Sequence, residues 1–248
     1  MLSKTIVKYI QSLAHKKVRD EDDVFMAEGT KVIVDLLSSG KFTCNMICAL
    51  PDWIREYNDL LKNISKEDQL EITEFELQKI SLLQTPNKVL GVFHKKKVAE
   101  ILLQNNISLM LDGIQDPGNM GTIIRTADWF GIKNIICSKE CVDCYNPKVV
   151  QSTMGSLAGV NIIYADLANF IAENKGINIY AASLAGKNIF KVKIKQGIIL
   201  IGNEGKGVSE NLLKLVTAQI NIPKIGDAES LNAAVATGII LAQVTSGD

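Results

Sequence analysis

Three loops of this sequence carry the polar residues that could bind a ligand or do chemistry, and each follows a short apolar run. The first loop spans residues 111–129 (LDGIQDPGNMGTIIRTADW) and turns at Asp-Pro-Gly-Asn before a helical pattern begins. The second spans residues 202–207 (GNEGKG), and the third spans residues 222–232 (IPKIGDAESLN). Because parallel α/β sheets bind ligands beyond the carboxyl ends of their strands, loops in these positions predict a ligand site.

The glycine-rich second loop does not match a phosphate-binding motif. Glycine lets a backbone approach a ligand closely or adopt a positive φ. However, the GxxxxGK[ST] spacing and the GxGxxG order are both absent, and Glu204 would repel a phosphate. A carboxylate in this loop suits hydroxyl groups or a cation better. An ordinary glycine-rich turn without a ligand is the alternative.

The other two loops contribute a guanidinium and a hydroxyl. Arg125 is the only arginine after residue 106, in a chain where lysine supplies nearly all of the 27 basic residues. Its alternative role is that of an ordinary surface residue on a helix. Ser230 is placed to cap the last helix, with Leu231 and Asn232 in the first turn of that helix.

Short apolar strands alternate with helices in the second part of the chain and would position these loops. The pattern predicts strands at residues 108–111, 134–137, 160–164, 178–182, 198–201 and 219–222, with helices that include 122–130 and 231–244. This alternation predicts a mostly parallel sheet covered on both faces. The last helix (LNAAVATGIILAQV) is apolar on nearly every side, which favours burial or, at a chain terminus, a shared dimer interface.

The first part of the chain predicts a second, smaller α/β unit. Helical spacing of apolar residues over 6–13 precedes a short apolar run, a second helix at 31–37 and a buried strand at 46–50. Pro51 then opens another helix. We expect a small N-terminal domain at residues 1–97, a linker at 98–106 and a C-terminal domain at 107–248.

The composition excludes several classes of protein. The chain has 248 residues, and its 27 basic residues balance 27 acidic ones, so a disordered tail or a basic nucleic-acid arm is disfavoured. The N-terminus lacks a signal-peptide core, and no stretch reaches the roughly 18 apolar residues that span a bilayer. Five clustered cysteines, an odd number, indicate reduced thiols rather than a disulfide framework. We therefore expect a cytoplasmic protein without a membrane segment.

Taken together, the three loops resemble the three motifs of the SpoU/TrmH RNA 2′-O-ribose methyltransferases of the SPOUT class. The resemblance covers residues 106–245 and includes the segment from Tyr145-Asn146-Pro147-Lys148 to Ser152-Thr153-Met154-Gly155. In the first part, SLAHKKVR and FMAEGTKVIVDLL resemble the N-terminal RNA substrate-binding domain of that family. The resemblance implies a C-terminal parallel-sheet domain with a deep trefoil knot, which acts as a homodimer.

The resemblance also implies a cofactor and a set of site residues. S-adenosylmethionine would be held by the backbone of Gly202, Ile222 and Leu231, with Leu184 beside the adenine. The family's catalytic positions correspond here to Asn119, Arg125, Glu204, Ser230 and Asn232, partly across the dimer interface. Because a guanidinium keeps its charge, a cationic Arg125 would anchor the phosphate and stabilise the emerging alkoxide rather than accept the proton.

The partner implied by the resemblance is RNA. Lys17 and Arg19 of the first domain are candidates for phosphate contacts. The substrate-binding domain favours ribosomal RNA over transfer RNA, and the neutral charge predicts recognition that depends on RNA shape. A tRNA 2′-O-methyltransferase of the same family is the alternative. No metal is expected, since His15 and His94 are the only histidines and lie far in sequence from the cysteines at positions 137, 141 and 144.

Two further alternatives come from other classes of protein. Cys137, Cys141 and Cys144 have the C-x₃-C-x₂-C spacing of radical S-adenosylmethionine iron–sulfur enzymes. Against this reading, Asp143 stands where an aromatic residue is usual, and Cys137 ends a predicted buried strand. The other alternative is a non-catalytic RNA-binding homologue. The joint presence of the five catalytic positions disfavours it.

Overall fold

The computed structural model describes residues 2–97 and 101–246, which form two compact units. The first unit combines the residues up to Lys97 with a separate segment, Asp143–Ala158. The second unit contains the described residues of 101–142 together with those of 159–246. Within the predicted linker, residues 98–100 lie outside the described residues. The segment 143–158, which the sequence analysis assigned to the C-terminal domain, is therefore part of the first unit.

The part of the chain up to residue 97 folds around a four-stranded sheet. Its helices are α1 (Lys4–Ser12), α2 (Lys16–Glu21), α3 (Thr30–Ser38), α4 (Pro51–Glu56) and α5 (Glu74–Ile80), and its strands are β1 (Val24–Glu28), β2 (Cys44–Ala49), β3 (Gln69–Glu71) and β4 (Val89–His94). The sheet order is β1-β4-β2-β3, with β4 antiparallel to both neighbours and β2 parallel to β3. All five residues of β1 are buried, so this strand needs cover on both faces.

The remaining part of the chain contains eleven α-helices and β-strands among its described residues, besides two short 3-10 helices. In chain order they are β5 (Ile107–Leu111), α6 (Pro117–Trp129), β6 (Asn134–Ser138), α7 (Pro147–Thr153), β7 (Asn161–Ala165), α8 (Leu167–Glu173), β8 (Ile179–Asn188), β9 (Gly197–Ile201), α9 (Glu210–Leu213), β10 (Ala218–Asn221) and α10 (Ala233–Thr245). Helix α7 belongs to the first unit, and the other ten elements build the second.

The sheet of the second unit is parallel throughout, in the order β10-β8-β9-β5-β6-β7. The central strands β5, β9 and β6 are almost wholly buried, as expected for strands covered on both faces. The predicted parallel α/β fold is confirmed. The deep trefoil knot stays a prediction.

One strand is longer than predicted. Strand β8 extends to Asn188 rather than residue 182, because its second half also pairs with β10 after a shift in register between Gln219 and Ile220. Gly186 lies against the backbone of Ile220, where a side chain would approach to 2.5 Å. Only glycine allows the two strands to come so close.

The segment 143–158 docks on the first unit through polar and aromatic contacts. Arg19 donates to the Asp143 carboxylate at 2.6 Å, and the Tyr145 ring lies 4.8 Å from the ring of Phe25 in β1. The backbone N–H of Lys96 donates to the Tyr145 hydroxyl at 3.0 Å. Strand β1 is thus covered partly by a piece of chain that lies more than a hundred residues further along.

Arg19 corrects one expectation of the sequence analysis. It was predicted to contact RNA phosphates, but it is only 1% exposed. Besides the Asp143 pair, its guanidinium donates to the carbonyls of Leu13 and Ala14 at 2.8 and 2.9 Å. A guanidinium so enclosed is not available to a phosphate. Its neighbour Lys17 has a side chain that is 84% exposed.

Replacing Arg19 by methionine is therefore expected to change stability rather than surface charge. The substitution removes the guanidinium that donates to the Asp143 carboxylate and to two carbonyls. Removing one partner of a buried ion pair typically costs about 3–5 kcal/mol. We expect a clear fall in the thermal midpoint of unfolding, measured by circular dichroism. Lys17→Met is the matched control and should leave the midpoint within about 1 °C, since exposed ion pairs contribute little. Equal midpoints for the two variants would contradict this assignment of Arg19.

No helix among the described residues has both the length and the apolar character needed to cross a membrane. No disulfide bond joins the five cysteines.

Candidate cofactor and active site

The glycine-rich loop forms a tight, self-bonded turn at the end of β9. The backbone N–H of Asn203 donates to the Gly207 carbonyl at 3.1 Å, and the reverse bond is 2.8 Å. The Asn203 side-chain oxygen accepts from the N–H of Gly205 at 2.9 Å. At Gly202 a Cβ atom would lie 2.1 Å from the Gly207 carbonyl carbon and 2.2 Å from the Val208 nitrogen. The turn therefore requires glycine at position 202.

Side-chain bonds tie this turn to the first loop. The Asn203 amide donates to the Gly113 carbonyl at 2.8 Å, just beyond the end of β5. The Asp112 carboxylate accepts from the N–H of Ser209 at 2.8 Å. The sequence analysis did not identify Asn203 or Asp112. An asparagine in a glycine turn, able to bond its own backbone two residues on, is the signal that could have indicated the first.

Asn119 joins all three loops through its side-chain amide. Its amide nitrogen donates to Glu204 in the second loop, and its oxygen accepts from the Asn232 amide of the third loop at 2.8 Å. The Asn232 oxygen accepts in turn from the N–H groups of Ala234 and Val235 at 2.9 and 3.2 Å. These bonds fix the direction of both amides, and Glu204 acts as the terminal acceptor.

The start of the last helix differs from the prediction. Asn232, not Ser230, is the N-cap of α10, and the helix begins at Ala233 rather than Leu231. Both residue types cap helices well, so spacing alone could not separate them. Asn232 takes the capping role, and the exposed Ser230 is one of the residues that line the cavity described next.

A cavity of about 840 Å³ opens between the second and third loops and the end of β8. Its lining includes all four residues predicted to bind the cofactor, which are Leu184, Gly202, Ile222 and Leu231. Glu204 and Ser230 also line it. The Asn221 amide donates to the Leu184 carbonyl at 3.1 Å, which holds the wall of the cavity in place. The structure thus gathers six of the predicted residues around one space.

Arg125 is not among the predicted residues that line the cavity. It lies on the exposed side of α6 and does not line the cavity. Trp129, one helical turn further on, is 84% exposed. Helix α6 packs against α10. Within one chain, therefore, the structure brings Asn119, Glu204 and Asn232 together but leaves Arg125 outside.

The cysteine cluster does not form a metal site. Across residues 2–97 and 101–246, no group of three His, Cys, Asp or Glu side chains is placed to share a metal ion. Cys137 and Cys141 lie in the second unit, and Cys144 belongs to the first. The spacing that suggested an iron–sulfur cluster has no matching arrangement of ligands.

The fold and the site define a class of protein. A parallel α/β sheet, with three loops at the carboxyl ends of its strands and a cavity of about 840 Å³ beside two of them, is typical of enzymes that bind an extended cofactor. The amides and carboxylate beside the cavity can orient a hydroxyl-bearing substrate.

Comparison with known proteins identifies the family. Residues 106–242, more than half of the chain, match the model of the SpoU rRNA Methylase family, and residues 4–91 match the MRM3-like substrate binding domain. The chain therefore belongs to the SpoU rRNA methylase family. The predicted enzyme class, an RNA methyltransferase with an N-terminal substrate-binding domain, is confirmed.

Individual relatives match nearly the whole chain. The 23S rRNA (guanosine(2553)-2′-O)-methyltransferase RlmP of Bacillus subtilis is 30% identical, over 95% of this chain and 94% of its own. The AdoMet-bound rRNA methyltransferase of Sinorhizobium meliloti is 34% identical, with a TM-score of 0.87 over 98% and 95% of the two chains. The methyltransferase AviRb of Streptomyces viridochromogenes, at 24% identity and a TM-score of 0.85 over 99% and 100%, shares the fold.

Changing Asn119 to aspartate should weaken the site more than changing it to alanine. Alanine removes the link between the loops, whereas aspartate also sets a second carboxylate beside Glu204. We expect the affinity for S-adenosylmethionine, measured by calorimetry, to fall about 10-fold for Asn119→Ala and further for Asn119→Asp. Asn211→Asp, on the exposed side of α9, is the charge-matched control. Equal affinities for both Asn119 variants would argue against the contact with Glu204.

Proposed function

We propose that this protein transfers the methyl group of S-adenosylmethionine to a ribose 2′-hydroxyl of ribosomal RNA. One observation carries the proposal: three loops from separate parts of the sequence converge through Asn119, beside a cavity lined by Glu204 and Ser230. A relative that matches 95% of this chain is named for 2′-O-methylation of 23S rRNA, which supports the substrate class.

The cavity suits S-adenosylmethionine in size and in chemistry. Its walls at Gly202, Ile222 and Leu231 would hold the cofactor through backbone groups, and the exposed Leu184 side chain would lie beside the adenine. A backbone-walled pocket fits here because Gly202 leaves no room for a side chain between the two arms of its turn. When bound, the cofactor supplies an activated methyl group on a sulfonium.

The protein residues would then orient the ribose and manage its proton. The reacting oxygen must lie in line with the methyl group, and holding it there contributes much of the rate. Ser230 and Glu204 can hydrogen-bond ribose hydroxyls at the rim of the cavity. The guanidinium of Arg125 offers a planar set of N–H donors, so it would anchor the adjacent phosphate and stabilise the developing charge on the 2′-oxygen.

Arg125 reaches such a site if the protein is a homodimer. Helices α6 and α10 pack together, and their exposed residues include Arg125 and Trp129 on α6 and Val235 on α10, the last two 84% and 52% exposed. Large apolar side chains left exposed on packed helices favour a surface that another protein covers. We propose that the C-terminal units pair through this surface, so that Arg125 of one protomer serves the cavity of the other.

The first unit would select the RNA. The Lys17 side chain is 84% exposed and can turn from Glu21, 3.8 Å away, to a phosphate, whereas the buried Arg19 cannot reach one. The match of residues 4–91 to a substrate binding domain supports this division of labour between the domains. Ribosomal RNA as substrate also supports the cytoplasm as the place of action.

Mapping of ribose methylation in total RNA, with and without this protein in the cell, tests the function. We expect one 2′-O-methyl mark in ribosomal RNA to disappear with the gene and to return when the protein is supplied. Loss of a mark in transfer RNA instead would favour the tRNA alternative. Calorimetry with S-adenosylmethionine separates the remaining case, because a non-catalytic RNA-binding homologue should give no heat of binding.

A further inference from the structure

A stretch of the second unit without acidic side chains passes the end of β8. Between Glu173 and Glu204 the sequence contains five lysines and neither aspartate nor glutamate, although the whole chain is neutral. Lys187 lies in the second half of β8, and Lys191 ends the short 3-10 turn that follows, Ile189–Lys191. Both lysines are exposed. This part of a neutral protein is therefore locally basic.

The same turn presents an aromatic ring to solvent. Ile189 is fully buried, whereas Phe190 is 55% exposed. The Asn188 side-chain oxygen accepts from the backbone N–H of Phe190 at 2.9 Å, and the N–H of Val192 donates to the Ile189 carbonyl at 3.2 Å. The buried side chain and these two bonds hold the turn that carries the exposed ring. We call the two lysines and this ring the basic rim, which consists of Lys187, Phe190 and Lys191.

The elements that pack against the basic rim do not offset its charge. Strand β10 (Ala218–Asn221) pairs with the second half of β8, and α10 (Ala233–Thr245) packs against the turn. Neither element contains a charged residue. Asp227 and Glu229 are the acidic residues of the loop that joins these two elements. A basic surface of this kind attracts a partner with a series of negative charges.

The strand that carries the basic rim also forms a wall of the cofactor cavity. Leu184 lines the cavity three residues before Lys187, and its carbonyl accepts from the Asn221 amide of β10. Where the two strands end, Asn188 pairs with Asn221. Three residues after each of these asparagines the chain carries a lysine, and the one that follows β10, Lys224, is exposed and lines the cavity. The basic surface thus continues to the cavity.

We propose that the basic rim binds the RNA strand next to the ribose that is methylated, with its lysines on phosphates and Phe190 stacked on a base. Lysines neutralise phosphates, and an exposed aromatic ring stacks on any base, so the combination is typical of surfaces that bind single-stranded nucleic acid. The proposal rests on the proposed function, because it takes the cavity beside the rim as the methyl-donor site. It is separate from the contact proposed for Lys17, since the rim belongs to the catalytic unit.

Binding of a fluorescein-labelled oligouridylate of about 12 nucleotides, followed by anisotropy at several salt concentrations, tests the basic rim. For Lys187→Gln/Lys191→Gln we expect about 10-fold weaker binding and a salt slope lower by about 1.4, which is about 0.7 for each lost phosphate contact. Phe190→Ala should weaken binding about fivefold or more with an unchanged slope, because stacking releases no counterions.

Lys175→Gln/Lys214→Gln is the matched control. It removes the same charge from two exposed lysines that precede the amino ends of β8 and β10, and it should bind the oligonucleotide like the unchanged protein. Equal affinities for the two double variants would overturn the proposal. Equally tight binding of polyglutamate, unaffected by Phe190→Ala, would overturn it in favour of an acidic protein as partner. A change in oligomeric state for Phe190→Ala, measured by light scattering, would place the ring in a subunit interface instead.

Methylation kinetics and cofactor binding separate the basic rim from the proposed function. The three rim residues do not line the cavity, so the dissociation constant of S-adenosylmethionine should stay unchanged in every rim variant. The double lysine variant should raise KM for ribosomal RNA about 10-fold with kcat unchanged. An unchanged KM would overturn the placement of the rim beside the target ribose. If the unchanged protein neither binds S-adenosylmethionine nor methylates RNA, the proposed function is wrong, while weaker oligonucleotide binding by the variant would still establish the RNA surface.

Discussion

Gly202→Ala should raise the dissociation constant of S-adenosylmethionine by about 100-fold, which corresponds to roughly 2.7 kcal/mol. The added Cβ would lie 2.1 Å from the Gly207 carbonyl carbon, and that neighbour is backbone, so the turn itself must open. Opening the turn moves the wall of the cavity and strains the bonds of the Asn203 side chain, which donates to the Gly113 carbonyl and accepts from the N–H of Gly205 in the same loop. Calorimetry measures the change in affinity, and circular dichroism checks that the variant is folded.

Gly205→Ala is the matched control in the same loop. A Cβ at Gly205 would come no closer than 3.5 Å to another group, the side-chain oxygen of Asn203. We expect its affinity to stay within about threefold of the unchanged protein. If the two alanine variants bind equally well, the cavity at Gly202 is not the cofactor site.

Arg125→Lys should lower kcat by about 100-fold or more while cofactor binding stays unchanged. Lysine keeps the positive charge but loses the planar fork that binds a phosphate in a fixed orientation, and a single lost donor to a developing oxyanion typically costs about 10²–10³ in rate. Arg125 does not line the cavity, so the dissociation constant of S-adenosylmethionine should not move. Single-turnover methylation of ribosomal RNA measures the rate.

Arg55→Lys supplies the comparison, because Arg55 is an exposed arginine in the first unit. Its turnover should match that of the unchanged protein. Near-normal turnover by the Arg125→Lys variant would show that the reaction does not need the guanidinium group. Mixing Arg125→Lys with Gly202→Ala protein, at a concentration of S-adenosylmethionine too low for Gly202→Ala to bind, adds a test of the dimer. Partial recovery of activity is expected if the two residues belong to one composite site.

The sequence was most informative where local chemistry decides local structure. The six predicted strands of the second unit are all present, because short apolar runs bounded by turn residues leave few alternatives to a buried strand. The convergence of the three loops followed from the rule that parallel strands end at one edge. Contacts between residues far apart in the sequence could not be predicted in this way. Nothing near Arg19 in sequence indicates that its partner is Asp143, and nothing near Asn119 indicates Glu204.

The site residues likewise divide into those that the sequence indicated and those that depend on distant contacts. Gly202, Ile222 and Leu231, which the family resemblance indicated as cofactor-binding positions, all line the cavity. The cap of the last helix was assigned wrongly because Ser230 and Asn232 are both good caps, and the choice depends on where the loop turns in space. Asn203 was missed since its importance comes from Gly113, ninety residues earlier.

The passage of residues 143–158 into the first unit sets limits on how this protein can be divided. A fragment that stops at residue 97 would expose the face of β1 that Tyr145 covers and would leave Arg19 as a charge without its counterion. Substrate-recognition modules therefore cannot be exchanged between relatives by a single cut at the linker. A working hybrid would have to carry both pieces from the same parent, so the two stretches are expected to have changed together during evolution.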